Sequence, residues 1–100
     1  MIWALYCIDG PNTADAREKL LKVHRDYLDA SLDKIFFSGP LLSDDAKDSH
    51  GSLFILNVKG RKDAQAWIDS EPFYNDGIFA KVTLHRMRKG RFNPKLADVV

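Results

Sequence analysis

Apolar positions along the chain change period several times, and each change marks an element. Met1 to Ile8, MIWALYCI, is a short run of aromatic and branched residues closed by Asp9, Gly10 and Pro11, which predicts a strand and a turn. Ile2, Ala4, Tyr6 and Ile8 line one face and Trp3, Leu5 and Cys7 the other, so both faces require cover. From Thr13 to Ser31 the period becomes helical: Leu20, His24, Tyr27 and Leu28 share a face, with Arg17 one turn earlier and Ser31 one turn later. Asn12 or Thr13 serves as N-cap, and Asp15 and Glu18 near the first turn complement the helix dipole.

Ile35 to Leu42, IFFSGPLL, reads as a second strand, with regular pairing expected to stop at Pro40 because proline cannot donate to a ladder. Ser43 to Gly51 is polar and reads as an exposed loop, and Ser52 to Val58 as a third strand, apolar on both faces. A shorter helix, Arg61 to Ser70, packs through Ala64, Trp67 and Ile68 and ends before Pro72, which restricts Glu71 to extended geometry. Asn75 to Gly77 turns the chain. In the fourth strand, Ile78 to Arg88, the residues Ile78, Ala80, Val82 and Leu84 alternate with Phe79, Lys81, Thr83 and His85. The remainder has no clear period; residues 1–90 read as one domain and 91–100 as a C-terminal tail, packed against a partner by Phe92 and Leu96.

The order strand, helix, strand, strand, helix, strand predicts an α+β, ferredoxin-like βαββαβ subunit with a four-stranded antiparallel sheet. Right-handed crossovers place both helices on one face, leaving the other bare. Because the first and third strands are apolar on both sides, a homodimer pairing sheet with sheet is expected. Burying roughly 1,000 Å² of apolar area would supply about 25 kcal/mol of gross hydrophobic free energy before association and ordering costs.

One hundred residues fit one modest core, and a net charge of +1 gives no strong attraction to nucleic acid or an anionic membrane. The single cysteine, Cys7, forms no internal disulfide and reads as inert packing; this, with no long apolar run and no basic leader, points to a cytoplasmic protein. Asp44, Asp45, Asp48 and His50 match no recognised metal-ligand spacing, so no metal or other cofactor is expected. Arg86, Arg88, Lys89, Arg91 and Lys95 surround Phe92 without an RNA-binding signature and read as a solvated edge or dimer contact.

His24 is the residue with chemistry to offer. A histidine on an apolar stripe is ordinarily a packed residue with a hydrogen-bond partner. Arg17 on the same face changes that picture, since a half-buried guanidinium costs desolvation unless something anionic meets it, and a cleft is the usual solution.

Three segments together carry a resemblance: Arg17 and His24 in REKLLKVHRDYL, SGPLL at Ser38 to Leu42, and SEPFYNDGIFAKVTLHRM at Ser70 to Met87. Over roughly residues 1–90 the chain resembles the YciI-like (YCII-related) family of small dimeric α+β barrel proteins. The resemblance implies a ferredoxin-like subunit, a dimer, and a cleft holding a histidine and an acidic residue proposed to act as a dyad. Most members have no assigned reaction; the superfamily includes an enzyme that removes chloride from a chlorinated hydroxyhydroquinone. Carried over, the histidine is His24, the arginine Arg17, and the acid, usually an aspartate before Pro and an aromatic, is Glu71 before Pro72 and Phe73. Glutamate adds a methylene to the reach, and the competing role for Glu71 is a helix or turn cap that never meets His24.

A carboxylate bound to one ring nitrogen fixes the tautomer and raises the basicity of the other, which suits cofactor-free proton transfer. His24 and Glu71 are therefore the candidate catalytic residues and Arg17 the candidate anchor for a substrate carboxylate or phenolate. Ser38 and the Gly39 backbone offer further donors, with Pro40 freeing the chain from the ladder; a plain strand-ending bend is the other reading of Gly39 and Pro40. The expected function is a small enzyme of isomerase, lyase or dehydrohalogenase type acting on a small acidic or cyclic metabolite. The alternative is a non-catalytic dimeric module that binds a small ligand or a protein.

Overall fold

A computed structural model describes residues 1–100. Its elements are β1 (Ile2–Asp9), α1 (Ala14–Ala30), β2 (Ile35–Leu42), β3 (Ser49–Asn57), α2 (Arg61–Asp69), α3 (Pro72–Asn75) and β4 (Phe79–Met87), with 3₁₀ turns at Leu32–Lys34 and Pro94–Leu96. The sheet is antiparallel throughout in the order β2-β3-β1-β4, the ferredoxin-like arrangement. No helix is long and apolar enough to cross a membrane.

The two faces of β1 separate as alternation requires. Trp3, Leu5 and Cys7 are buried on the helix side with Phe54 and Leu56 of β3, while Ala64, Trp67 and Ile68 of α2 and Phe73 of α3 close over them. Helix α1 adds Leu20, Leu21, Tyr27 and Leu28 as partly buried contacts, and its one buried residue is His24. A short network locks α1 to α2. Tyr27 Oη donates to the Trp67 carbonyl at 2.6 Å, Trp67 Nε1 donates to Ser31 Oγ at 3.0 Å, and Ser31 Oγ donates to the Tyr27 carbonyl at 2.7 Å.

Three local expectations are corrected, and one short element is added. Strand β3 begins at Ser49, so three residues assigned to the loop join the sheet. Gly51 makes this fit, because a Cβ there would lie 2.3 Å from the Cys7 carbonyl oxygen. Pairing of β2 also continues past Pro40, which sits opposite Ser52; β2 is the sheet edge, where a missing N–H is tolerated. A register shift at Ile8 and Asp9 turns Phe79 into the core beside Ile78, away from the Lys81 face. Finally, the chain after Glu71 is a single helical turn, α3, with Pro72 at its first position, where the absent N–H has no bond to lose.

The face away from the helices stays open. Tyr6 is 46% and Phe37 63% exposed, in register with half-buried Leu53 and Ile55. The tail folds back over one end of it: the Phe92 ring lies 5.7 Å from Phe36, beside a groove of about 480 Å³ lined in part by Ile2, Phe37, Ile55 and Met87. This face is expected to pair with its own copy. Sedimentation equilibrium is then expected to give twice the 11.4 kDa chain mass, with Phe37→Asp shifting the equilibrium toward monomer. A wild-type chain that is monomeric at all concentrations contradicts the pairing.

Candidate functional site

His24 sits in the middle of α1 with its ring stacked on Phe73, centroids 3.9 Å apart and planes 3° from parallel, and with Phe54 tilted against it at 6.4 Å. This stacking holds the ring plane. Its Nδ1 hydrogen-bonds Glu71 Oε1. Glu71 is fully buried, and its second oxygen, Oε2, accepts the Tyr74 backbone N–H at 3.0 Å as the N-cap of α3. The two roles weighed for Glu71 are thus filled together, one by each oxygen. Pro72 supports both, holding Glu71 in extended geometry (φ −75°, ψ 128°) and starting the turn that delivers Phe73 to the imidazole.

The other ring nitrogen, Nε2, has no protein partner and keeps solvent access. It opens on a cleft of about 410 Å³ between α1 and the β2–β3 strands, within the usual range for small-ligand sites. Arg17, His24, Ser38, Gly39 and Pro40 all line this cleft, and Glu71 lies behind its wall. Ser38 and Pro40 are in register with Phe54 and Ser52 on the helix side, so their side chains point toward α1; Gly39 contributes backbone.

Arg17 is more committed than the sequence suggests. Its Nε donates to Asp9 Oδ2 at 2.6 Å and its Nη2 to Asp9 Oδ1 at 3.1 Å, a bidentate pair. Nη2 also reaches the Gly51 carbonyl at 2.9 Å and Ser52 Oγ at 3.2 Å, and the guanidinium carbon lies 4.8 Å from the Phe73 ring centre. Asp9 is thus the internal anion that a half-buried arginine requires, and only Nη1 is left without a protein partner. Sequence reading missed Asp9, treating it as a turn residue, and missed Ser52 and Arg25, which also line the cleft wall.

Nearby ionisable groups respond to this arrangement. Burial, then the Glu71 and Asp9 carboxylates, push the Cys7 thiol up to about 12, against a smaller opposing effect of Arg17. Burial and then Glu71 likewise raise Tyr27, whose hydroxyl stays a donor to Trp67. Elsewhere, Asp45 is occupied by the Ser43 hydroxyl and the Lys47 N–H, which hold its carboxyl below the usual range, and His50 contacts the Leu42 carbonyl. His85 is exposed on the open face. Chemically, the cleft offers an imidazole nitrogen oriented by a buried carboxylate, an arginine N–H and hydroxyl donors, the elements of general acid/base catalysis.

Comparison with known proteins agrees with the fold. The profile of the YCII-related domain matches residues 1–88. The proteins called YciI from Escherichia coli and Shigella flexneri are each 29% identical over 96 residues, covering 85% of this chain and 97% of theirs. Among solved structures, a 5-chloro-2-hydroxyhydroquinone dehydrochlorinase from Burkholderia phenoliruptrix, in complex with 2,5-dihydroxybenzoquinone, superposes with a TM-score of 0.83 at 28% identity. It covers 90% of this chain and 96% of its own. An Arabidopsis thaliana protein shares the fold, with a TM-score of 0.51 at 12% identity over 92% of this chain and 97% of its own.

A thiol held near 12 stays protonated at pH 8 and is sealed in the core. Iodoacetamide is therefore expected to alkylate Cys7 about a hundredfold more slowly in the folded chain than in urea. Equal rates in the two states would contradict the buried, neutral thiol.

Proposed function

This chain belongs to the YCII-related domain family, and from that premise we propose that it is a small enzyme performing cofactor-free general acid/base chemistry on a compact cyclic or acidic molecule in the His24 cleft. One observation carries the reading. The two nitrogens of one imidazole have different surroundings, Nδ1 on a buried carboxylate and Nε2 on an open cleft.

With Nδ1–H donated to Glu71, the neutral ring keeps a lone pair on Nε2 facing the substrate. Nε2 takes a proton from a substrate carbon or hydroxyl, and the released electron pair moves into the ring or enolate system. From there it either expels a leaving group or is reprotonated at a second carbon by the same imidazolium. Glu71 balances the imidazolium that forms, as a carboxylate behind a catalytic histidine does. Arg17 Nη1 and the Ser38 hydroxyl stabilise the negative charge that develops on the substrate oxygen. Asp9 holds Arg17 so that its free N–H keeps one direction. The solved structure named above is that of a dehydrochlorinase, and dehydrochlorination, the net removal of a proton and chloride, falls within the chemistry proposed here.

The test uses two assays on wild type and His24→Gln. One is chloride release from 5-chloro-2-hydroxyhydroquinone; the other is solvent-deuterium exchange into enolisable ring acids followed by NMR. The wild type is expected to turn over at least one substrate of this class, and His24→Gln to lose roughly 10²- to 10⁴-fold in rate while keeping the wild-type circular dichroism spectrum. Undiminished turnover in the variant rejects the role of His24. Saturable binding with no chemistry across the set would favour a ligand-binding module.

A further inference from the structure

Three basic side chains line the cleft, and their charges are not equivalent. Arg17 is answered by Asp9 and His24 by Glu71, and both carboxylates lie behind the wall. Arg25 lines the same cleft, is exposed, and its side chain forms no ion pair or hydrogen bond with the rest of the protein. Its neighbours on α1 do not neutralise it: Asp26 is taken by Lys22 at 2.9 Å, and Asp29, one turn on, makes no salt bridge. No aspartate or glutamate lines the cleft, whereas Ser38, Ser49 and Ser52 do.

We infer that Arg25 is a specificity-determining residue that selects substrates bearing an anionic group, such as a carboxylate, at the mouth of the cleft, remote from the atom that faces His24. The inference rests on the acid/base reading of the same cleft and adds the substrate class: an anionic ring acid in preference to a neutral ring. Its basis is electrostatic. The Arg17–Asp9 pair is internally neutral and the Glu71 carboxylate is buried behind the wall, so the charge that faces the cleft without a partner is that of Arg25, and walls formed by Leu21, Leu28, Phe54 and Phe73 concentrate its field toward the opening. A guanidinium matches a carboxylate with two parallel N–H donors, so it fixes direction as well as charge. A substrate held this way at the mouth leaves Arg17 Nη1 for the charge that develops during reaction. Two cationic contacts at different points along one ring then define which carbon meets Nε2.

Isothermal titration calorimetry with a matched pair of probes, 2,5-dihydroxybenzoate and hydroquinone, tests this at low ionic strength. The wild type is expected to prefer the carboxylated ring by about fivefold, the scale of a partly exposed ion pair. Arg25→Gln reduces the preference to about one, Arg25→Lys retains most of it, and molar salt removes it from the wild type. Near-UV circular dichroism checks that both variants fold; the exposed position predicts that they do. Equal affinity of the wild type for the two rings overturns the inference, as does an undiminished preference in Arg25→Gln or binding of neither ring at millimolar concentration. His24→Gln separates the two claims. A preference that survives in this variant while turnover is lost supports both; turnover that survives rejects the acid/base reading alone.

Discussion

A carboxylate removed from water must find its partners inside the protein, and Glu71 does so with one oxygen on an imidazole and the other on a helix N-terminus. Each half depends on the other. The cap on Tyr74 fixes the direction of the carboxylate, the carboxylate fixes the tautomer of His24, and Phe73, in the turn so capped, supplies the surface on which His24 stacks. Phe73 is itself fully buried and meets Phe79 edge-on at 6.0 Å, so the core anchors the site directly. Breaking such a pair by removing one partner leaves an uncompensated polar group, whereas a wholly apolar replacement of both is often no less stable. Stability alone therefore gives no reason for an imidazole here; the open Nε2 does.

The second buried pair, Arg17 with Asp9, has a different geometry and a different consequence. It ties the end of β1 to the first turns of α1, and through Gly51 and Ser52 it reaches β3. Phe73 lies against both Arg17 and His24, so the two pairs share one aromatic support. The cleft is thus built from rigid strand and helix positions, and each of its inner charged groups has a partner within the protein before any ligand arrives.

Much of this was legible in the sequence because it depends on local period. The spacing of Leu20, His24, Tyr27 and Leu28 is enough to put an imidazole on the inner face of α1, and the order of elements is enough for the ferredoxin-like sheet. Glu71 was reachable only through family resemblance, since no local rule connects residues 47 positions apart. Asp9 was hidden for the same reason: its partner lies across the Gly10–Pro11 turn, and pairing depends on how α1 lies on the sheet. The inward turn of Phe79 follows from a bulge in β4, where Ala80 is left without a partner on β1, and the tolerance of Pro40 from an edge position set by strand order; neither is written in the residues themselves. Arg25 looks like any solvated helix residue until the cleft beside it is seen to lack an acid.

The central claim is that His24 holds its proton on Nδ1 toward Glu71 and presents a bare Nε2 to the cleft. Nitrogen-15 NMR of selectively labelled protein, at a pH where the ring is neutral, reads this directly. The account predicts a proton scalar-coupled to Nδ1 and a pyridine-like Nε2, with that order lost in Glu71→Gln. A pyridine-like Nδ1 with the proton on Nε2 would contradict it.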